Sequence, residues 1–165
     1  MNRAILKWPD KRLRARAEPI AEISEDIRTI WTDMIDTMEA MPGVGLAANQ
    51  IGVLSRLAVV DASSERGLAV RMANPEILHS SEKFTTTDEA SPCLPGVSAK
   101  IDRPRGITVR FLNDQGDVEE RDFVGLWAVS IQHQIDHLNG QMYFDRLSSV
   151  KRQMLLKRAA KAGRK

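Results

Sequence analysis

The segment from Leu126 to Asn139 constrains the fold more than any other part of the chain. Leu126, Val129, Ile131, Ile135 and Leu138 spread apolar side chains around most of the circumference of a helix. Such a helix has little surface to offer water, so the rest of the chain must enclose it. Asn139-Gly140 supplies its stop. Inside this segment stand His133 and His137, two of the three histidines in the protein. Four residues apart, they project from one helical face one turn apart, a spacing that suits two bonds to a single metal ion. Asp136 points away from that face, which reads as a structural bonding role.

The elements around this helix follow from local signals. Ser24 is placed to cap a helix whose apolar residues Ile27, Ile30, Trp31, Met34, Met38 and Met41 recur at threes and fours, and Pro42-Gly43 ends it. Short strands are predicted at 57–60, 70–73, 83–87, 97–101, 107–112 and 119–124. Asn113-Asp114-Gln115-Gly116 joins the last two as a hairpin. Pro75, Pro92, Pro95 and Pro104 predict short or edge strands, because proline cannot donate to a ladder. A last helix is predicted over 149–162, packing through Val150, Met154 and Leu155. With 165 residues, 42% apolar and 28% charged, the chain suits one domain, residues 1–165, without a linker or repeat.

Composition narrows the function classes. No apolar run approaches the roughly 18 residues of a membrane span, and Met1 to Asp10 carries no signal-peptide core, so a cytoplasmic protein is expected. One cysteine, Cys93, excludes an internal disulfide and leaves a core filler, a nucleophile or a metal ligand. The formal charge of +2 conceals an asymmetry. Residues 151–165 hold seven basic residues and no acid, leaving 17 of the 24 basic residues against all 22 acidic ones elsewhere. A basic C-terminal helix at about 149–165 on a mildly acidic body suits contact with a polyanion, or is simply a solvated helix end.

In zinc hydrolases carrying H-E-x-x-H, the glutamate after the first histidine moves protons between metal-bound water and the leaving group. Gln134 occupies that position here, and an amide cannot cycle a proton near neutral pH. The loop Gly43 to Gln50 is built of small residues that let backbone approach a ligand, while Gln50 offers an amide donor.

Gly43 to Gln50, Glu89 to Gly96 and Gln132-His133-Gln134-Ile135-Asp136-His137 together resemble the three motifs of the peptide deformylase family, in its order and spacing. The resemblance covers nearly the whole chain. It implies an α+β fold, with small antiparallel sheets around a central helix carrying the two histidines. It also implies a metal, Fe²⁺ or Zn²⁺, on two histidines and a cysteine, and removal of the formyl group from the initiator methionine of nascent peptides. The motif glutamine and a backbone N–H beside the cysteine would stabilise the oxyanion. Val44, Gly45, Leu94, Leu126, Val129 and Ser130 fall at substrate-pocket positions with Trp127 beside them, and Arg103 matches an arginine near the peptide backbone. The formyl-methionyl or N-terminal peptide is the implied partner, along with the ribosome through the final helix.

Two motifs depart from the family. The third ordinarily reads Q-H-E-x-D-H, so Gln134 replaces the base. The second ordinarily reads E-G-C-L-S-x-P-G, against Glu89-Ala90-Ser91-Pro92-Cys93-Leu94-Pro95-Gly96 here. Without gaps, Ser91 stands at the cysteine ligand, Pro92 at the N–H donor that proline lacks, and Cys93 at the serine. A shifted register pairs Cys93-Leu94 with the family's Cys-Leu, at the expense of two opposed length changes. The ungapped reading predicts a deformylase-like protein with little or no deformylase activity and weak or absent metal. The shifted one predicts an active metal-dependent deformylase with Cys93, His133 and His137 as ligands.

Overall fold

A computed structural model describes residues 1–164. Its central element is the helix Gly125–Leu138 (α2), in which every residue from Ala128 to Leu138 is buried. The helix closes at Gly140, whose φ is +78° and where a Cβ would lie 2.5 Å from the Arg14 carbonyl oxygen. Both the left-handed turn and the close backbone contact require glycine there.

One side of α2 rests on a five-stranded antiparallel sheet. Its strands are Gly45–Ala47 (β1), Leu57–Val60 (β2), Val70–Ser80 (β3), Gly106–Leu112 (β6) and Val118–Val124 (β7), in the order β1-β2-β3-β6-β7. Val60, Met72, Val109, Phe111 and Ile131 meet between helix and sheet. Fully burying one such side chain stabilises the fold by about 1.5–3 kcal/mol. Asn113 makes the expected β6–β7 turn, its Oδ1 accepting from the N–H groups of Gln115 and Asp117.

Strands Phe84–Ser91 (β4) and Leu94–Pro104 (β5) form a separate two-stranded sheet. Gln132 on α2 is anchored to it, its Nε2 donating to the Pro104 carbonyl at 2.9 Å. The mixed architecture of helices and small antiparallel sheets is the predicted α+β class.

The helix Glu25–Ala40 (α1) is capped by Ser24, whose hydroxyl accepts from Ile27 N–H at 3.3 Å. It buries Trp31, Met34 and Met38 against β1, β2 and β3. The helix Ser149–Ala162 (α3) is capped by Ser148 and packs through Leu155 and Ala159 into a cluster with Leu13, Cys93, Leu94 and Tyr143.

Three sequence expectations need correction. Val150 and Met154 are 65% and 58% exposed, so α3 packs through Leu155 and Ala159 without them. Pro75 lies inside β3, an interior strand eleven residues long, because a register shift between Ala73 and Glu76 takes the proline out of the ladder. Strands β4 and β5 extend well beyond 83–87 and 97–101, since the long hairpin they share pairs Phe84 with Pro104 and runs to Ser91 and Leu94. Strand β1 falls in the glycine-rich loop, where small residues hid the strand signal.

Candidate functional site

His133 and His137 turn toward each other on α2, with their Nε2 atoms 3.1 Å apart. Glu89, on β4, fixes the first ring by accepting from His133 Nδ1 at 2.8 Å. A carboxylate can only accept, so Nδ1 carries the proton and Nε2 faces His137. His137 is fully buried, and burial, followed by the nearby charges of His133 and Arg103, drives its pKa well below the ordinary histidine range. With Nδ1 bonded to Glu89, the two facing Nε2 atoms are close enough for one proton to bridge them. His137 Nδ1 is buried without a partner. Tyr143 stacks on the His133 ring at 5.9 Å between centroids.

Glu89 belongs to a buried chain of charges. Its two oxygens accept from Arg103, at 2.5 Å from Nε and 2.9 Å from Nη2, and Arg103 Nη1 reaches Asp136 Oδ2 at 3.0 Å. Arg146 donates to both oxygens of Asp136, at 2.7 and 2.9 Å. Burial alone would raise the Glu89 pKa. The bonds from His133 and Arg103, with the charge of Arg103, outweigh it and hold the carboxyl at about 2. Asp136 has the structural bonding role that its place on α2 suggested. Arg103 does not reach the cavity: it is fully buried between two carboxylates and consumed by them.

A cavity of about 270 Å³ opens beside His133. Val44, Gly45, Gln50, Leu126, Val129, Ser130, His133 and Gln134 line it, joined by Met41, Pro42, Glu89 and Pro92. The first loop, the second motif and α2 thus converge on one cavity. Gln50 is held by two bonds: its Oε1 accepts from Ala47 N–H at 2.9 Å and its Nε2 donates to Cys93 Sγ at 3.4 Å. Gln134 Nε2 lies 3.5 Å from Ser130 Oγ, which donates to the Val44 carbonyl at 3.1 Å, while Gln134 Oε1 is buried without a partner. Gly45 allows this packing, since a Cβ there would stand 2.4 Å from Ser130 Oγ and 2.5 Å from Gln134 Nε2.

Leu94 and Trp127 lie elsewhere. Leu94 faces a second cavity with Lys7, Trp8 and Cys93, because β5 turns it into the cluster under α3. Trp127 packs on Phe123. The Pro92-Cys93 turn is strapped down by the N-terminal segment: Lys7 Nζ donates to the Pro92 carbonyl and Trp8 N–H to that of Cys93, both at 2.8 Å. Sequence reasoning missed Glu89 as the partner of His133, Tyr143 as its stacking neighbour, and Arg146. Only Glu89 left a signal, as a carboxylate within a motif.

This geometry can be set against known proteins. A family model for polypeptide deformylase matches residues 2–153. A peptide deformylase of Afipia carboxidovorans is 40% identical over 164 residues, covering 98% of this chain and 96% of that protein. The chain belongs to the peptide deformylase family. Peptide deformylase 2 of Xanthomonas axonopodis pv. citri is 43% identical, over 95% of this chain and 94% of its own. The crystal structure of a peptide deformylase from Legionella pneumophila superposes with a TM-score of 0.93 at 38% identity, covering 99% of this chain and 96% of that one. That of Ehrlichia chaffeensis peptide deformylase in complex with actinonin gives 0.92 at 32% identity, with 99% of each chain covered.

The family's metal can be tested against the donors present. Among the described residues, no group of three or more His, Cys, Asp or Glu side chains is placed to hold one ion. The two imidazoles converge, but the Glu89 oxygens are occupied by Arg103 and His133. Cys93 Sγ meets Gln50, and Ser91 offers only a neutral hydroxyl, which accepts from Cys93 N–H at 3.2 Å. Burial pushes the Cys93 thiol up, away from the thiolate that binds metal, and the bond from Gln50 offsets this only in part. A catalytic centre normally has three protein ligands, so the donor set does not fit.

Proposed function

We propose that this member of the peptide deformylase family binds the N-terminal end of a formyl-methionyl or methionyl peptide and hydrolyses it little or not at all. The observation that carries the reading is the arrangement around His133 and His137, which no third ligating side chain joins among the described residues. Two further features support it. Pro92 lines the cavity and has no N–H to give an oxyanion, and Gln134 stands where a proton carrier would be needed. What remains is a binding shape. Met41, Val44, Leu126 and Val129 offer apolar walls to an unbranched side chain, while Gln50 and Gln134 offer neutral polar groups at the inner end. The proposed setting is the cytoplasm, where nascent peptides carry this group. No described helix is long and apolar enough to cross a membrane.

One contact favours a second reading, an active enzyme using Cys93: its sulfur lies 3.4 Å from the amide of Gln50, which lines the cavity. A single preparation separates the two. Purified protein supplied anaerobically with Fe²⁺ or Zn²⁺ is assayed for metal content and for formate release from a formyl-methionyl peptide, and peptide binding is followed by calorimetry. Binding without turnover and without stoichiometric metal is the expected result. Near-stoichiometric metal that is lost on Cys93→Ser, together with turnover, would establish the second reading instead.

A further inference from the structure

The rim of the cavity is held from outside by a residue that does not line it. Between β2 and β3 the chain makes a loop in which Arg66 and Gly67 both take left-handed φ, +61° and +76°. Glycine adopts that conformation freely and arginine does not, so Arg66 holds a backbone that its side chain must justify. Each of its three guanidinium nitrogens makes a bond. Nη2 donates to the Gly43 carbonyl at 2.7 Å, Nη1 to the Asp61 carbonyl at 2.8 Å, and Nε to Glu39 Oε2 at 3.2 Å. It thereby bridges three places: the end of α1, the loop itself and the turn that becomes the cavity wall.

We infer that Arg66 is a positioning residue for the ligand-binding rim, setting the carbonyl of Gly43 and with it the aim of Pro42, Val44 and Gly45 into the cavity. Neighbouring bonds show why this contact matters. The next carbonyl along, that of Val44, is taken twice, by Asp61 N–H at 3.0 Å and by Ser130 Oγ at 3.1 Å. The Asp61 side chain itself accepts from Ser63 N–H at 3.0 Å, the Ser63 hydroxyl and Leu68 N–H at 2.9 Å, which ties down the loop end. Arg66 ties that fixed loop end to Gly43, where the rim has no side chain of its own to hold it. The planar guanidinium reaches two carbonyls and a carboxylate at once, a geometry that a lysine ammonium cannot reproduce.

The inference rests on reading the cavity as a peptide site, and the experiment separates the two. Hydrogen–deuterium exchange is measured, without ligand, on the wild type, Arg66→Gly and Arg66→Lys. Glycine suits the left-handed backbone, so Arg66→Gly removes the side chain without straining the loop. Losing these three charge-assisted bonds should speed exchange in the segments spanning 41–47 and 61–66 by roughly tenfold, with the β6–β7 hairpin unchanged. Arg66→Lys should fall between the other two. Titration of the three proteins with a formyl-methionyl tripeptide should show affinity falling in the same order. Rim exchange at the wild-type rate in Arg66→Gly, or acceleration spread evenly over the chain with a matching fall in melting temperature, would overturn the inference. Failure of the wild type to bind the tripeptide would count against the peptide site alone, since the exchange data still decide the role of Arg66.

Discussion

Ser91, Pro92 and Gln134 are three small departures from the family's motifs, and two of them, Pro92 and Gln134, line the same cavity. In the ungapped register we propose that each removes something different: a thiolate donor, a backbone N–H, and a group that can carry a proton. Restoring only one should therefore recover little. Gln134→Glu returns a general base, a contribution worth roughly 10² to 10⁴ in rate where the remaining machinery exists. Alone, it is expected to leave formate release at background. Ser91→Cys combined with Pro92→Leu and Gln134→Glu supplies ligand, donor and base together, and is expected to take up metal and release formate from a formyl-methionyl peptide. Metal analysis and a formate assay on the single and triple variants check both statements. Turnover by Gln134→Glu alone would mean that Cys93 already serves as the third ligand.

At the scale of the element, α2 shows what periodicity reveals and what it hides. An apolar pattern all round a helix announces burial, and a histidine pair four apart announces two rings on one face; both were legible in the sequence, although Leu126 at the first turn is 50% exposed. The partners that orient those histidines were not, because Glu89, Arg103 and Tyr143 come from other elements and meet only after β4 and β5 fold back on α2. Arg103 resembled a residue near the ligand and proved to be an internal tie, since sequence does not show which charges neutralise one another. Cys93 and Leu94 were similarly opaque: a tight turn sends adjacent side chains to different cavities, Pro92 to one and Cys93-Leu94 to the other. The buried tie has a pH signature. Glu89 titrates at about 2 in the fold against 4.5 unperturbed, so its contribution is fully present above pH 4.5 and is lost as pH falls toward 2. The difference corresponds to stability on the order of 3 kcal/mol. Glu89→Gln should destabilise the protein at pH 7 and flatten the loss of melting temperature between pH 4.5 and 2.5. Scanning calorimetry of both proteins across that range checks it, and an unchanged acid limb would contradict the assignment of this bonding to Glu89.

At the scale of the whole molecule, charge is distributed along α3. Leu155 and Ala159 face inward, Arg152 reaches Asp145 at 3.5 Å, and Lys151, Lys157, Arg158, Lys161 and Arg164 are exposed. Lys165, the seventh basic residue of the tail, lies outside the described residues. An anchored helix presenting an exposed cationic surface is the arrangement through which we propose that the protein meets the ribosome. Each phosphate neutralised by such a surface releases counterions, so association should weaken steeply with salt. Deleting the helix is a poor test, because it would strip fully buried Leu155 from the cluster around Tyr143, and a core truncation of that kind typically costs about 2–5 kcal/mol. Charge neutralisation is cleaner: Lys157, Arg158, Lys161, Arg164 and Lys165, all changed to glutamine, leave Leu155 and Ala159 in place. Co-sedimentation with ribosomes and with bulk RNA at near-physiological salt should show the wild type favouring ribosomes, and the variant should lose that preference along with most of the salt dependence while keeping its melting temperature. Equal ribosome association by both proteins would reduce the basic face of α3 to a solvated helix surface.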